Sequence, residues 1–151
     1  MNTRSFLLSA LIAGVVIGFL GNFPVLNLIN CGLCIFVWIG GALAVLLYRR
    51  FEHGEATLST AQAAGLGAIS GFIGDLVGVV VFTVTSPISI PIFNSLARSL
   101  QWQGELPFKM GGLGDIVGTA FTFFIIDAVL YPLFGALGGI IAASLTKKPA
   151  S

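Results

Sequence analysis

The sequence predicts an all-α integral membrane protein: four transmembrane helices in a Gly-rich bundle, with an external interfacial helix between the third and the fourth. Three observations carry this expectation. Of 151 residues, 56% are hydrophobic and only 9% charged, and the mean hydropathy is +1.02, too apolar for a soluble domain of ordinary make-up. The apolar residues fall into runs that reach the roughly 20 residues a helix needs to cross a bilayer at 1.5 Å per residue. Many of the 20 glycines recur at helical spacing within those runs. Residues 1–151 read as a single membrane domain, with no room for a separate catalytic one.

The first run, "FLLSALIAGVVIGFLG" (span about 6–23), follows one positive charge at Arg4. In outline it resembles a secretory leader. No clean small-x-small cleavage site follows its core and other spans come after it, so an uncleaved helix is expected. "NFPVLNLIN" breaks the run with Pro24 and three asparagines, a turn at the membrane surface. The second run, "CGLCIFVWIGGALAVLLY" (31–48), stops at Arg49 and Arg50, and a polar loop holds the one histidine, His53, beside Glu52 and Glu55.

The third span covers about 58–82. After it, "TVTSPISIPIF" carries Pro87 and Pro91, which predict irregular backbone outside the hydrocarbon or shielded by protein. Residues 92–103 read as a helix lying in the interface, with Ile92, Phe93, Leu96 and Leu100 on one side, Asn94, Arg98 and Gln101 on the other, and Trp102 as anchor. The last apolar stretch, from Gly111 to about Leu145, would be on the order of 50 Å long as one helix. It is expected as one long helix or one bent at Pro132, with its span at about 118–145.

Charge sets the orientation but says little about partners. The net charge of +1 comes from Lys and Arg scattered between apolar runs, which is no footprint for nucleic acid. Arg4, Arg49, Arg50, Lys147 and Lys148 fall on one side of a four-span arrangement, and Arg98 and Lys109 on the other. By the positive-inside rule both termini are then cytoplasmic, as in a multi-pass protein of the bacterial inner membrane.

Two octapeptides stand out, "GFIGDLVG" at 71–78 and "GGLGDIVG" at 111–118. Gly67, Gly71, Gly74 and Gly78 form one stripe of the third helix, since steps of four, three and four return near the same angle. Gly14 with Gly18, and Gly114 with Gly118, supply further small-xxx-small pairs, and all of these glycines are expected to allow close helix contact. Asp75 shares the stripe with Gly71 and Gly78, and so should point into the bundle. Asp115 falls near the external mouth, where an N-terminal capping role suits it. Asp75 and Asp127 fall about 7 Å to the external side of the midplane.

No Lys or Arg lies inside an apolar run, so these carboxyls have no cationic partner within the membrane. A bare charge there is costly, which leaves protonation, a water-filled cavity or a bound cation. Asp75, Asp115 and Asp127 are therefore the proton or cation candidates. The plainer alternative is a pair of protonated acids hydrogen-bonded to hydroxyls or carbonyls.

Cys31 and Cys34 form "CGLC" at the external start of the second helix, a spacing that can make a disulfide or serve thiol redox chemistry. A four-helix bundle with C-x-x-C just after its first span resembles the quinone-linked membrane oxidoreductases that take electrons from periplasmic disulfide-forming proteins. The resemblance covers about a dozen residues. The second external cysteine pair of that family is absent, and where a basic residue would follow the motif the chain reads "IFVWIGG". Small apolar residues at a helix end are the alternative reading of this pair.

"NLINCGLC", "GGALAVLLYRR" and "FGALGGIIAASLTKK" together resemble recurrent blocks of a group of small uncharacterised bacterial membrane proteins, over about a quarter of the chain. That resemblance implies a four-span inner-membrane protein and no particular activity. No phosphate-binding loop, metalloprotease helix or serine nucleophile elbow occurs, and neither a metal site nor a cofactor is expected. The expected role is a non-enzymatic accessory or structural subunit packing against partner helices, its own or another protein's, within the lipid. Its alternatives are a small proton or cation pathway through Asp75 and Asp127, and a thiol redox protein using Cys31 and Cys34.

Overall fold

The computed structural model describes residues 2–23, 26, 30, 34–53, 58–100 and 113–146. These form four helices, with no strand among the described residues: α1 (Thr3–Gly21), α2 (Ile35–Phe51), α3 (Thr60–Ser99) and α4 (Leu113–Leu145). Three of them, α1, α3 and α4, are long and apolar enough to cross a membrane. The fourth, α2, has 17 residues.

Each start has a local cause. Asn2 caps α1 by accepting from the Arg4 N–H at 3.1 Å. Ser59 and Gln62 form a reciprocal capping box at α3, their side chains each accepting from the other's backbone N–H. Cys34, the residue before α2, is left-handed with φ 48° and supplies no side-chain cap. Asn30 does the job from upstream, its Oδ1 accepting from the Phe36 N–H at 3.2 Å. Arg49 and Arg50 lie in the last turn of α2, where cations suit the helix dipole.

The pairwise contacts set the topology. Gly14 lies against Ser70 and Ile73, and Gly18 against Gly74 and Val77, so α1 and α3 run in the same direction. Gly71 meets the Tyr131 carbonyl, Gly67 meets Gly135 and Gly139 meets Ala63, so α4 runs antiparallel to α3. Phe6 packs edge-on against Tyr48, and Gly40 lies against Ile17, which makes α2 antiparallel to α1. The result is an up-down-up-down bundle. In cross-section α2 and α3 touch each other and both outer helices, while α1 and α4 do not touch.

The two ends of the bundle differ. One is closely packed by Ala10, Ala13, Ala44, Val45, Tyr48, Ala63, Leu66, Ala142 and Ala143, and there the Arg49 Nη1 donates to the Thr146 carbonyl at 2.6 Å. The other end opens out. Asn22, just past α1, lies against Gly78, so the remaining 21 residues of α3 continue roughly 32 Å beyond the end of α1.

The structure departs from the sequence expectation at Pro87 and Pro91. Both sit inside α3, and residues 92–99 form its last turns instead of a separate interfacial helix; residues 101–103 lie outside the described residues. The physical reason is a substitute donor. Pro87 cannot donate to the carbonyl four residues back, and the buried Ser86 Oγ donates to that Thr83 carbonyl at 3.0 Å. Thr83, Thr85 and Ser89 turn their hydroxyls onto the carbonyls of Val79, Val81 and Thr85, so this polar stretch leaves few donors facing outward. At 40 residues α3 is about 60 Å long, twice a ~30 Å hydrocarbon core, and no ordinary tilt absorbs the excess. Pro132 likewise lies within an unbroken α4.

Candidate functional site

A cavity of about 270 Å³ occupies the open end of the bundle. Its polar wall is made by Asn22 after α1, Asn30 and Cys34 before α2, Asp75 on α3, and Asp127 and Tyr131 on α4. Val79 and Phe82 of α3, with Ala120, Phe123, Phe124, Ile126 and Leu130 of α4, complete an apolar wall. Phe82 and Phe123 meet edge-on, with ring centroids 6.2 Å apart.

Glycines hold the space open. A Cβ on Gly78 would strike the Asn22 amide, and one on Gly71 would strike the Tyr131 carbonyl, so larger residues would drive the walls apart or into the cavity. Asp75 and Tyr131 are thereby brought together from helices whose backbones nearly touch. Asp127 precedes Tyr131 by one helical turn and therefore shares its face.

The tyrosine hydroxyl has a hydrogen-bond partner, and one aspartate oxygen has none among the described residues. Asn30 Nδ2 donates to the Tyr131 hydroxyl at 3.2 Å, and Asn22 Nδ2 donates to the Gly18 carbonyl at 3.0 Å. Asp75 is only 3% exposed, yet its Oδ2 has no hydrogen-bond partner among the described residues. A buried polar atom without a partner is costly, so such a group marks either strain or a place where something binds. Among the described residues, no Lys, Arg or His lines the cavity. Two carboxyls thus face it with no counter-charge from those residues.

The cavity also reaches the outer surface. Phe123 and Ile126, which line it, are half-exposed on the outside of the bundle, on the apolar face of α4. The opening therefore lies among side chains suited to lipid.

Of the residues singled out by sequence, Asp75 and Asp127 come together and Cys34 joins them. Cys31 lies outside the described residues, so the thiol pair is seen only in part. Asp115 is apart from them: it is exposed in the first turn of α4. The similarity of its glycine frame to that of Asp75 does not extend to environment. Gly14, Gly18, Gly67, Gly71, Gly74 and Gly78 all lie against another segment of the chain. Gly114 and Gly118 do not fit the packing expectation, because nothing among the described residues comes within 4 Å of where their Cβ would be. Their helix has passed beyond the reach of α1 and α2 at that height.

Sequence reasoning missed Asn22, Asn30 and Tyr131. The signals were present: two asparagines bracket the turn after α1, and a tyrosine stands four residues after an intramembrane aspartate. It also passed over Gly41, Gly135, Gly138 and Gly139, whose backbones make some of the closest helix contacts in the bundle. Among the described residues, no three His, Cys, Asp or Glu side chains gather closely enough to hold one metal ion. Compared with known proteins, the chain matches no protein-family model, no curated protein and no solved structure, so the chemistry of the cavity is the ground for any functional reading.

Proposed function

We propose that the protein is a small membrane protein that binds or passes a proton or cation through the cavity between Asp75 and Asp127. The observation that carries this reading is the buried Oδ2 of Asp75, unpartnered among the described residues, beside a cavity lined by a second carboxyl and, among those residues, by no basic side chain. In low dielectric such a pair favours a shared proton or an incoming positive charge. Asn22, Asn30 and Tyr131 supply further oxygen atoms around the same space.

The setting proposed is a four-span, Gly-packed bundle in a bacterial inner membrane with both termini cytoplasmic. Supporting it are the antiparallel order of the helices and the excess of Lys and Arg at the closely packed end. Thiol labelling of single cysteines placed at residues 2 and 151 tests the orientation: labelling from the periplasmic side at either position contradicts it.

The test of function is flux. Proteoliposomes carrying the protein should move protons, Na⁺ or K⁺ at a rate that falls at least tenfold in Asp75→Asn and Asp127→Asn. Undiminished flux in both variants removes the reading.

A second reading, an accessory subunit that packs against partner helices, is favoured by a different observation. Gly114 and Gly118 are exposed small residues on the part of α4 that lies beyond α1 and α2. Native mass spectrometry in mild detergent examines it, and a species that is monomeric at every concentration counts against it.

A further inference from the structure

We infer that the ligand of the cavity is an amphiphilic organic cation, an ammonium ion carrying an apolar or aromatic substituent, which enters from the lipid beside Phe123 and Ile126 of α4. The inference rests on the cation-site reading above and narrows it to a chemical class.

Three features of the cavity lead to this class. Its volume of about 270 Å³ is far larger than a dehydrated alkali or divalent ion, and fits a small organic molecule instead. Its acidic ligands are two, Asp75 and Asp127, and no three His, Cys, Asp or Glu side chains gather to hold a metal among the described residues, whereas a hard cation such as Ca²⁺ takes roughly six to eight oxygens, usually several of them carboxylate. Its walls are divided by chemistry: carboxyls, amides and a phenol on one side, and Phe82, Phe123 and Phe124 on the other. A cation with an apolar tail satisfies both, the charge meeting Asp75 and Asp127 while ring faces attract the ammonium and cover the tail.

The route follows from the same geometry. Phe123 and Ile126, which line the cavity, are also exposed on α4. An apolar substituent draws an amphiphile into the lipid around such side chains, whereas a metal ion gains nothing there. A lipid headgroup amine carries the same charge, but it stays at the interface and Asp75 lies well inside the apolar length of α3, so a free amphiphile is the better fit.

The binding step balances in charge. The ammonium enters with its positive charge intact, one carboxyl loses its proton to bulk water, and a carboxylate–ammonium pair remains. No bond to carbon forms or breaks. Among the described residues, the titratable groups lining the cavity are Asp75 from α3, Asp127 and Tyr131 from α4, and Cys34 before α2; Asn22 is the contribution from the α1 end.

The test is infrared difference spectroscopy of the protein in phosphatidylglycerol vesicles, with benzyltrimethylammonium, tetramethylammonium, Na⁺ and K⁺ as separate probes. Benzyltrimethylammonium should convert a protonated carboxyl band to a carboxylate band, and the signal should vanish in Asp75→Asn. Tetramethylammonium should need a higher concentration. Phe82→Leu, which keeps an apolar wall without a ring, should weaken the aromatic probe by about two- to thirtyfold, and an unchanged affinity for that probe overturns the role given to the aromatic wall. Repeating the wild-type spectrum with phosphatidylethanolamine vesicles separates the two sources of ammonium: before any probe is added, a carboxylate band stronger than in phosphatidylglycerol, with the excess lost in Asp75→Asn, assigns the site to a lipid amine and overturns the free-amphiphile inference. A response to Na⁺ or K⁺ with none to benzyltrimethylammonium also overturns it, and leaves the cation site standing. Silence to every probe, together with Asp-independent flux, removes both.

Discussion

Asn30 and Tyr131, 101 positions apart, are joined by a hydrogen bond in which the Asn30 amide donates to the phenol oxygen at 3.2 Å, while the same amide accepts the Phe36 N–H. One side chain therefore caps α2 and ties it to α4 at the edge of the cavity. Asn30→Leu strands two buried polar groups, and a loss of about 1–3 kcal/mol is expected. Tyr131→Phe strands fewer and should lose less, on the order of 1 kcal/mol. Reversible unfolding in detergent would read the order of the two, and a variant pair in which Tyr131→Phe is the more damaging contradicts the shared role of Asn30.

Close backbone approach makes some glycines irreplaceable and others not. A Cβ on Gly71 would collide with the Tyr131 carbonyl, with the Pro132 nitrogen only 3.1 Å away, and backbone atoms cannot swing aside. Gly71→Ala is expected to destabilise the bundle by about 1–3 kcal/mol. Gly65→Ala meets nothing within 4 Å, and should be neutral or stabilising by up to about 1 kcal/mol through helix propensity. Equal melting temperatures for the two variants would show that α3 and α4 are not pressed together at Gly71.

Ser86 and Pro87 act as a unit. Ser86→Ala removes the hydroxyl that serves the Thr83 carbonyl, at an expected cost of about 1 kcal/mol. Adding Pro87→Ala restores a backbone N–H that can serve the same carbonyl, so the double variant should recover much of the loss. A double-mutant cycle without coupling between the two sites is the contrary outcome.

Protons and cations should compete for the cavity. A carboxyl that holds a proton cannot pair with an ammonium ion, so affinity for benzyltrimethylammonium should rise with pH and then level off once the site is deprotonated. In Asp115→Asn the whole profile should be unchanged, because Asp115 is exposed and does not line the cavity. Binding that ignores pH, measured by equilibrium dialysis against vesicles, argues that the carboxyls take no part.

Much of the site was legible before any coordinates. Asp75 falls on a glycine stripe, and that placement alone turns it inward; Asp127 lies in an apolar run with no basic residue to meet it. Helix interiors follow periodic rules that a sequence displays directly. The misreadings came where partners decide the outcome. Pro87 was expected to end a helix because proline removes a donor, and the replacement stood one residue earlier in Ser86. Asp115, expected near the external mouth, does lie exposed in the first turn of α4, and it fails only as a proton or cation candidate, because α1 and α2 do not reach that height. Asn22 and Asn30 looked like turn residues because their tertiary partners, Gly78 and Tyr131, lie far along the chain.

The contrast between the two ends of the bundle has a mechanical side. From Ala63 against Gly139 to Gly71 against Tyr131, α3 and α4 are pressed backbone to backbone, while α3 runs on roughly 32 Å past the point where α1 stops. That is a fulcrum with a long arm. A rotation of about 5° at the clamp would displace the far tip, about 42 Å along the helix from Gly71, by about 4 Å. The cavity lies just beside the fulcrum, so any change in its filling would act where the arm has the greatest gain.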